Sequence, residues 1–151
     1  MIDIADVRSL GERLDQEVAL SDWLEVTQDR IDRFAEATED RQWIHVDVAA
    51  ASASPFRTTI AHGFLTLSLI SALGQRAMRI GGLRMAINYG LNRVRFMSPV
   101  PAGSKIRGRF APAAVTEEAG AVQVTWQVTV EREGLDKPCC VAEWVVRYYP
   151  Q

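Results

Sequence analysis

The sequence predicts an α+β domain in which one long buried helix packs against an antiparallel sheet. Residues 63–80 are apolar on nearly every side of a helix, a pattern typical of buried helices. After this segment the hydrophobic period changes to two, which predicts four strands between residues 91 and 148. Because the helices precede the run of strands, the two kinds of element should form separate layers around one core.

The first third of the chain predicts shorter elements. Residues 3–10 indicate a short helix that ends at Gly11, and residues 17–27 indicate an extended segment. Thr27 is a suitable N-cap for a second helix that runs to about residue 38. The polar stretch 39–45 then predicts an irregular turn.

The remaining elements follow from capping residues and alternation. Asp47 can cap a short Ala-rich helix that Pro55 ends, and Gly81-Gly82 should stop the long helix. The Pro- and Gly-rich segment 98–103 and residues 131–134 predict turns. Short connections between strands favour an antiparallel meander, with strands at residues 91–97, 104–110, 121–130 and 140–148.

The length and composition are those of one domain. The chain has 151 residues, of which 48% are hydrophobic and 24% charged, so it should fold around its own core. We therefore assign residues 1–151 to a single domain, in which residues 1–20 form an N-terminal extension with a short helix.

Charge is distributed unevenly along the chain. The net charge is −2, yet residues 1–50 carry −8 and residues 51–151 carry +6. No Asp or Glu occurs in residues 48–116, which contain nine bases. Either an anionic ligand or internal pairing of the two halves could explain this asymmetry. Several of the bases alternate with apolar residues on strands and could form one solvated face, so we expect no nucleic-acid partner.

The composition also argues against several other classes of protein. Cys139 and Cys140 are adjacent and are the only cysteines, which favours a reduced, cytoplasmic setting. The two histidines and these cysteines lack the spacing of a zinc site, so we expect no metal. The N-terminus does not resemble a signal peptide, and the apolar stretch 64–73 is too short to span a bilayer.

Asp40 and His45 are the first candidates for catalysis. A carboxylate and an imidazole five positions apart in a polar turn could both reach one water molecule. On spacing alone, we favour a surface aspartate and a histidine that bonds only the backbone, because pairs with this spacing are common.

His62 and Gly63 directly precede the long helix and form a second candidate. The free N–H of Gly63 at the positive end of the helix could bind a substrate oxygen, or the glycine could merely relieve crowding. His62 could orient the turn, the role we favour, or line a polar pocket. Ser71 lies two turns further along the helix, where its hydroxyl could contact a substrate or bond the backbone.

Three motifs in order resemble one enzyme family. They are the runs Phe34-Ala35-Glu36-Ala37-Thr38-Glu39-Asp40-Arg41-Gln42-Trp43-Ile44-His45-Val46-Asp47, Ile60-Ala61-His62-Gly63-Phe64, and Asn88-Tyr89-Gly90-Leu91-Asn92-Arg93-Val94-Arg95-Phe96 with Pro99-Val100 and Gly103. Together they resemble the MaoC-like dehydratases, or (R)-specific enoyl-CoA hydratases, over residues 20–148. The sequence Gln42-Trp43-Ile44-His45 most resembles the branch that includes NodN-like nodulation proteins. Many members have Asn and Pro where this chain has Gln42 and Trp43.

The resemblance implies a hot-dog fold, in which an antiparallel sheet wraps around a long helix, and hydration of a trans-2-enoyl-CoA to an (R)-3-hydroxyacyl-CoA. It implies that Asp40 and His45 are the catalytic pair and that the Gly63 N–H binds the thioester oxygen. It also implies that the protein needs no cofactor or metal and that it forms a homodimer. The substrate-binding residues that we expect in addition are Gln42, His62, Ser71, Arg93 and Arg95.

Two other functions remain open from the sequence. A hot-dog acyl-CoA thioesterase is the nearest enzyme, but such enzymes commonly carry an acid on the long helix, and residues 63–80 contain none. A non-catalytic acyl-thioester-binding protein is the other, and the retention of Asp40, His45 and Gly63 argues against it.

Overall fold

The computed structural model describes all residues, Met1–Gln151. Eight strands and five helices make up the fold. The strands are β1 (Ile2–Ile4), β2 (Ala19–Leu20), β3 (Leu24–Val26), β4 (Met78–Ile80), β5 (Leu83–Arg95), β6 (Ser104–Glu118), β7 (Ala121–Arg132) and β8 (Cys140–Pro150). The helices are a 3₁₀ helix (Val7–Arg13), α1 (Gln28–Thr38), α2 (Trp43–Val46), α3 (Val48–Ser52) and α4 (Gly63–Ala77).

The main sheet has six strands in the order β2-β6-β7-β8-β5, and β3 also pairs with β6. All of these pairs are antiparallel. The four predicted strands are therefore confirmed, but only β6, β7 and β8 form a meander. The prediction that β5 continues it was wrong, because β5 pairs with β8 at the opposite edge from β2. Residues 96–103 therefore cross from one side of the sheet to the other instead of forming a hairpin.

The long helix α4 packs against β6 and β8, as the apolar pattern predicts. Leu73, in its third turn, is fully buried. Gly108 of β6 lies directly beneath it, and a Cβ atom at position 108 would come within 3.2 Å of Leu73 Cβ. Phe110 and Trp126 fill the space beside this contact with an edge-to-face pair. The absence of a side chain at Gly108 thus sets how closely α4 approaches the sheet.

Two local predictions about the extent of helices were wrong for a shared reason. The long helix ends at Ala77, because Met78–Ile80 forms β4 and pairs in parallel with β1. The predicted helix at residues 3–10 is instead β1 followed by the 3₁₀ helix, which continues through Gly11. In both places a partner distant in the chain outweighs the local helical preference.

The capping predictions are confirmed around the polar segment. The Thr27 side chain accepts a hydrogen bond from the N–H of Arg30, and Asp47 accepts one from the N–H of Ala50. However, the stretch predicted as an irregular turn contains α2, which places His45 on a helical turn. Trp43 is the first residue of α2, a position at which proline is also favourable, so the Trp43 substitution is compatible with the same backbone.

Ion pairs account for part of the charge asymmetry. Arg79 pairs with Asp3 and Arg109 with Glu17, so bases of the acid-free stretch meet acids of the N-terminal half. Glu131 on β7 accepts from both Arg107 and Arg109. Internal pairing of the two halves, one of the two explanations considered, therefore holds for Arg79 and Arg109.

Two further findings concern the helices and the cysteines. No helix of the structure has the length and apolar character needed to cross a membrane. Cys139 and Cys140 are both buried, and burial raises the pKa of each thiol to about 11. Both residues therefore act as packing residues in this fold.

We expect Gly108→Ala to lower the free energy of unfolding by about 1–3 kcal/mol, because the new methyl group overpacks the contact between Leu73 and Phe110. Gly11→Ala is the matched control, since its Cβ would meet only Val115 Cβ at 3.9 Å, an ordinary contact. Urea unfolding followed by circular dichroism measures both. Equal midpoints for the two variants would contradict the proposed role of Gly108.

Candidate active site

Two short segments bring Asp40, His45 and His62 together. Asp40 lies between α1 and α2, His45 lies within α2, and His62 is the N-cap of α4. Each residue places one potential ligand atom within 4.8 Å of those of the other two. The imidazole rings stack with 3.8 Å between their centroids, and both are almost fully buried, whereas Asp40 is exposed. A carboxylate at the surface thus meets two buried imidazoles.

The hydrogen bond made by His45 determines its tautomer. Its Nδ1 lies 2.7 Å from the carbonyl oxygen of Ile60, which can only accept, so Nδ1 carries the proton when the ring is neutral. The Nε2 atom then keeps a free lone pair. His45 can therefore accept a proton through Nε2, as a general base requires.

The surroundings of His45 favour its neutral form. Burial lowers the pKa of His45 below the usual value for histidine, and the neighbouring His62 lowers it further. The hydrogen bond to Ile60 and the nearby Asp40 carboxylate raise the pKa, but by less than burial lowers it. The imidazole is thus neutral, and ready to take up a proton, at neutral pH.

Gln28 and Thr59 hold α2 in place and were not identified from the sequence. The Gln28 side-chain amide donates to the carbonyl oxygen of His45 at 2.8 Å, and the buried Thr59 hydroxyl donates to the Gln28 Oε1. Ile60 also donates its N–H to the carbonyl oxygen of Ile44. The only sequence signal was their position, since Gln28 begins α1 and Thr59 closely precedes the second motif.

His62 is joined to the opposite segment by its own side chain. Its Nε2 lies 2.8 Å from the carbonyl oxygen of Asp40, so Nε2 carries the proton. Its Nδ1 is buried and has no hydrogen-bond partner. Phe34 of α1 covers the ring, with 4.9 Å between centroids.

Asp40, His45 and His62 are residue types that can bind a metal ion, and they lie close together. A nitrogen ligand coordinates in the plane of its ring, and the planes of His45 and His62 are stacked with only 23° between them. One ion near both rings could not lie in the planes of both, so this stacked arrangement is unfavourable for binding one metal through both imidazoles. The geometry suits proton transfer better than metal binding.

Gly63 presents an unpaired backbone donor beside this cluster. It is the first residue of α4, and its N–H donates to no acceptor in the chain. The Phe96 ring lies over it, so that a Cβ atom at position 63 would come within 3.1 Å of that ring. Gly63, Thr66 and Phe96 line a cavity of about 240 Å³. A helix N-terminus with a free N–H can bind an oxygen that carries negative charge.

Ser71 lies in a separate groove between α4 and the sheet. Two adjoining cavities of about 260 and 310 Å³ share Ser71, Asn88 and Trp144 as lining residues. Trp144 of β8 donates its indole N–H to the side chain of Asn88 on the neighbouring strand β5. Most of the lining residues are apolar. Gly63 and Ser71 are eight residues apart on α4, or about 12 Å along its axis.

Of the other three predicted binding residues, only Gln42 lies beside the imidazole pair. Gln42 precedes α2 and donates its backbone N–H to the Asp40 carboxylate at 3.4 Å, while its side chain makes no hydrogen bond. Arg93 and Arg95 are exposed on β5, and neither forms an ion pair. Arg93 lines a different cavity together with Gln127 and Glu143. The structure does not bring the two arginines to the site.

The sequence resembles curated proteins over nearly its whole length. Residues 9–133 match the family described as "MaoC like domain". The chain is 49% identical to 3-hydroxyacyl-thioester dehydratase Z of Mycobacterium tuberculosis, over 94% of this chain and 95% of that protein. It is 48% identical to Nodulation protein N of Rhizobium leguminosarum bv. viciae, over 95% of this chain and 89% of that protein.

Solved structures show the same fold. An (R)-hydratase from A. caviae involved in PHA biosynthesis superposes with a TM-score of 0.70, at 25% identity, over 91% of this chain and 96% of that chain. The unliganded R-hydratase PhaJ1 from Pseudomonas aeruginosa gives a TM-score of 0.71 at 22% identity, over 91% and 83% of the two chains. The predicted hot-dog fold is thereby confirmed. Since a matched family covers most of the sequence and close relatives cover nearly all of it, the chain belongs to the MaoC-like dehydratase family.

Proposed function

We propose that the protein adds water to a trans-2-enoyl thioester to give an (R)-3-hydroxyacyl thioester, and catalyses the reverse dehydration. The observation that carries the proposal is the Asp40–His45 pair beside the free N–H of Gly63. Relatives named dehydratases place the chain among hydro-lyases that act on thioesters.

In the proposed reaction, Asp40 and His45 hold one water molecule between them. The Nε2 atom of His45 takes a proton from this water while the water oxygen attacks C3 of the enoyl group. Negative charge moves to the thioester oxygen, where the N–H of Gly63 stabilises the enolate. The proton then returns to C2, so that one water molecule is added in total.

The groove beside α4 offers room for the acyl chain. Its apolar lining suits a hydrocarbon, and Ser71 supplies one hydroxyl within it. In this proposal the chain extends from the thioester at Gly63 along α4 toward Ser71. CoA is the carrier that we propose, as the relative named 3-hydroxybutyryl-CoA dehydratase uses a CoA thioester.

A thioesterase reading receives no support from the site. Its hydrolysis would depend on an acid carried by the long helix, and α4 contains neither Asp nor Glu. The carboxylate of the proposed site is Asp40, which lies near His45 and is not carried by α4. Release of free CoA from saturated acyl-CoA, without hydration of enoyl-CoA, would favour a thioesterase over the proposal.

We expect Asp40→Asn and His45→Gln each to lower kcat for crotonyl-CoA hydration by about 10²–10⁴-fold, because each removes part of the general base. Glu39→Gln is the matched control, as it removes the adjacent exposed carboxylate and should retain wild-type activity. Loss of absorbance of the enoyl thioester measures the rate, and chiral analysis of the product tests its configuration. Wild-type rates in either catalytic variant would remove the proposed roles.

We expect kcat/KM to fall only below about pH 6.5, the usual pKa of histidine, because burial lowers the pKa of His45. Activity requires the neutral imidazole and is therefore lost as the pH falls through this lowered pKa. Asp40 and His62 are the titratable groups that act on His45, and the Asp40 carboxylate raises its pKa. In Asp40→Asn the acid limb of the residual activity should consequently move to lower pH. A wild-type acid limb above pH 7 would contradict this assignment.

Gly63→Pro tests the backbone donor directly. Proline is tolerated at the first position of a helix, so this variant removes the N–H and leaves α4 able to form. Gly63→Ala is the control that adds a Cβ atom against Phe96 but keeps the N–H. We expect kcat of Gly63→Pro to lie about 10²–10³-fold below that of Gly63→Ala, the usual effect of losing one oxyanion donor. Equal rates would exclude the proposed role.

We also propose that two copies pair through β5 to form a homodimer. This strand bonds β8 on one side only, and its other edge is unpaired over 13 residues. Four large apolar side chains on it are exposed, namely Met85, Ile87, Tyr89 and Leu91. An unpaired edge of this length with apolar side chains is the kind of surface that a second strand covers.

Ile87→Glu should weaken this dimer, because it places a charge in the contact. Val48→Glu is the control, as Val48 is also apolar and exposed but lies on α3. Sedimentation equilibrium should give twice the chain mass for the wild type and for the control, and a lower mass for Ile87→Glu. A monomeric wild type under dilute physiological conditions would contradict the dimer.

A further inference from the structure

The two histidines join the two segments that form the site, residues 40–45 (the first segment) and residues 60–63 (the second segment). His45, from the first segment, donates through Nδ1 to the carbonyl oxygen of Ile60 in the second. His62, from the second segment, donates through Nε2 to the carbonyl oxygen of Asp40 in the first. The rings stack between these two bonds. Each segment therefore positions the backbone of the other through a histidine side chain.

Asp40 has few other restraints. Its carboxylate is exposed, takes part in no ion pair, and accepts one long hydrogen bond of 3.4 Å from the N–H of Gln42. The preceding residue, Glu39, ends α1 in a left-handed conformation, with φ of 62°. The bond from His62 is the only one that joins Asp40 to the segment before α4. Without it, neither the position nor the direction of the Asp40 side chain is tied to Gly63.

We propose that His62 is a positioning residue, which holds the Asp40 carboxylate within reach of His45 through the hydrogen bond to the Asp40 carbonyl oxygen. This inference rests on the proposed function, since it assigns the bond a purpose in that reaction. His62 itself does not exchange protons with the substrate in this scheme.

The unpaired Nδ1 atom of His62 distinguishes this role from simple packing. A buried acceptor without a partner destabilises the folded state, and nothing in the chain compensates it. A phenylalanine would fill the same space against Phe34 and His45 and would leave no unpaired atom. If packing were its only task, the imidazole would be the poorer choice. The one thing that it adds is the donor to Asp40.

His62→Phe and His62→Gln separate the donor from the ring. His62→Phe keeps a stacked ring and removes the donor, so the variant should be at least as resistant to unfolding as the wild type while kcat for crotonyl-CoA falls about 10- to 100-fold. KM should change little, because the residue does not contact the substrate in this proposal. His62→Gln keeps an N–H donor of similar reach and should restore most of the lost kcat.

Dependence on Asp40 is tested by combining variants. In the Asp40→Asn background, His62→Phe should cause little further loss, because the carboxylate that it positions is already absent. Full additivity would overturn the proposal. So would wild-type kcat in His62→Phe, failure of that variant to fold, or a His62→Gln variant no more active than His62→Phe.

A measurement independent of activity uses the fact that the chain contains only two histidines. Long-range ¹H–¹⁵N spectra of the imidazoles should show a proton on Nδ1 of His45 and on Nε2 of His62 in the wild type. A proton on Nδ1 of a neutral His62 would contradict the hydrogen bond from its Nε2 to the Asp40 carbonyl oxygen and so overturn the proposal. If the wild type hydrates no enoyl thioester, the proposed function is wrong. If the wild type is active and the His62→Phe variant is unaffected, only the positioning role of His62 is wrong.

Discussion

The burial of α4 against the sheet is the constraint on which the rest of the structure depends. The buried face of the helix, which includes Leu65, Leu69 and Leu73, avoids water by packing against the sheet. Its approach is set where Leu73 meets Gly108, the position on β6 without a side chain. Because a helix is rigid, fixing its middle also fixes its first residue, Gly63. The free N–H that matters for chemistry is therefore positioned by packing two to three turns away.

The candidate site illustrates how a small set of hydrogen bonds can organise a polar pocket at the edge of such a core. The segments around Asp40 and Ile60 have little regular structure, and three bonds join them, two of which come from histidine side chains. Burial keeps His45 neutral, while the carboxylate remains at the surface where water can reach it. The two proposed catalytic groups thus differ in environment, which suits a division between a base and an orienting group.

Ion pairs within the fold explain part of the charge asymmetry without an anionic ligand. Arg79 and Arg109 of the acid-free stretch neutralise acids of the N-terminal half, and Arg107 shares Glu131 with Arg109. Arg93 and Arg95 stay unpaired on the strand that we propose for the dimer contact, so any contribution to CoA binding would come from the assembled dimer.

The sequence by itself determined the buried helix, the existence of four long strands, and the caps at Thr27 and Asp47, because periodicity and capping act within a few residues. It also indicated Asp40 and His45 as candidate catalytic residues, since their residue types and their spacing are local features of the chain. Only the tertiary structure decided which strands pair, where α4 gives way to β4, and how His62 reaches Asp40. Each of these depends on a partner distant in the chain, and a choice among distant partners is settled by packing that no local pattern records.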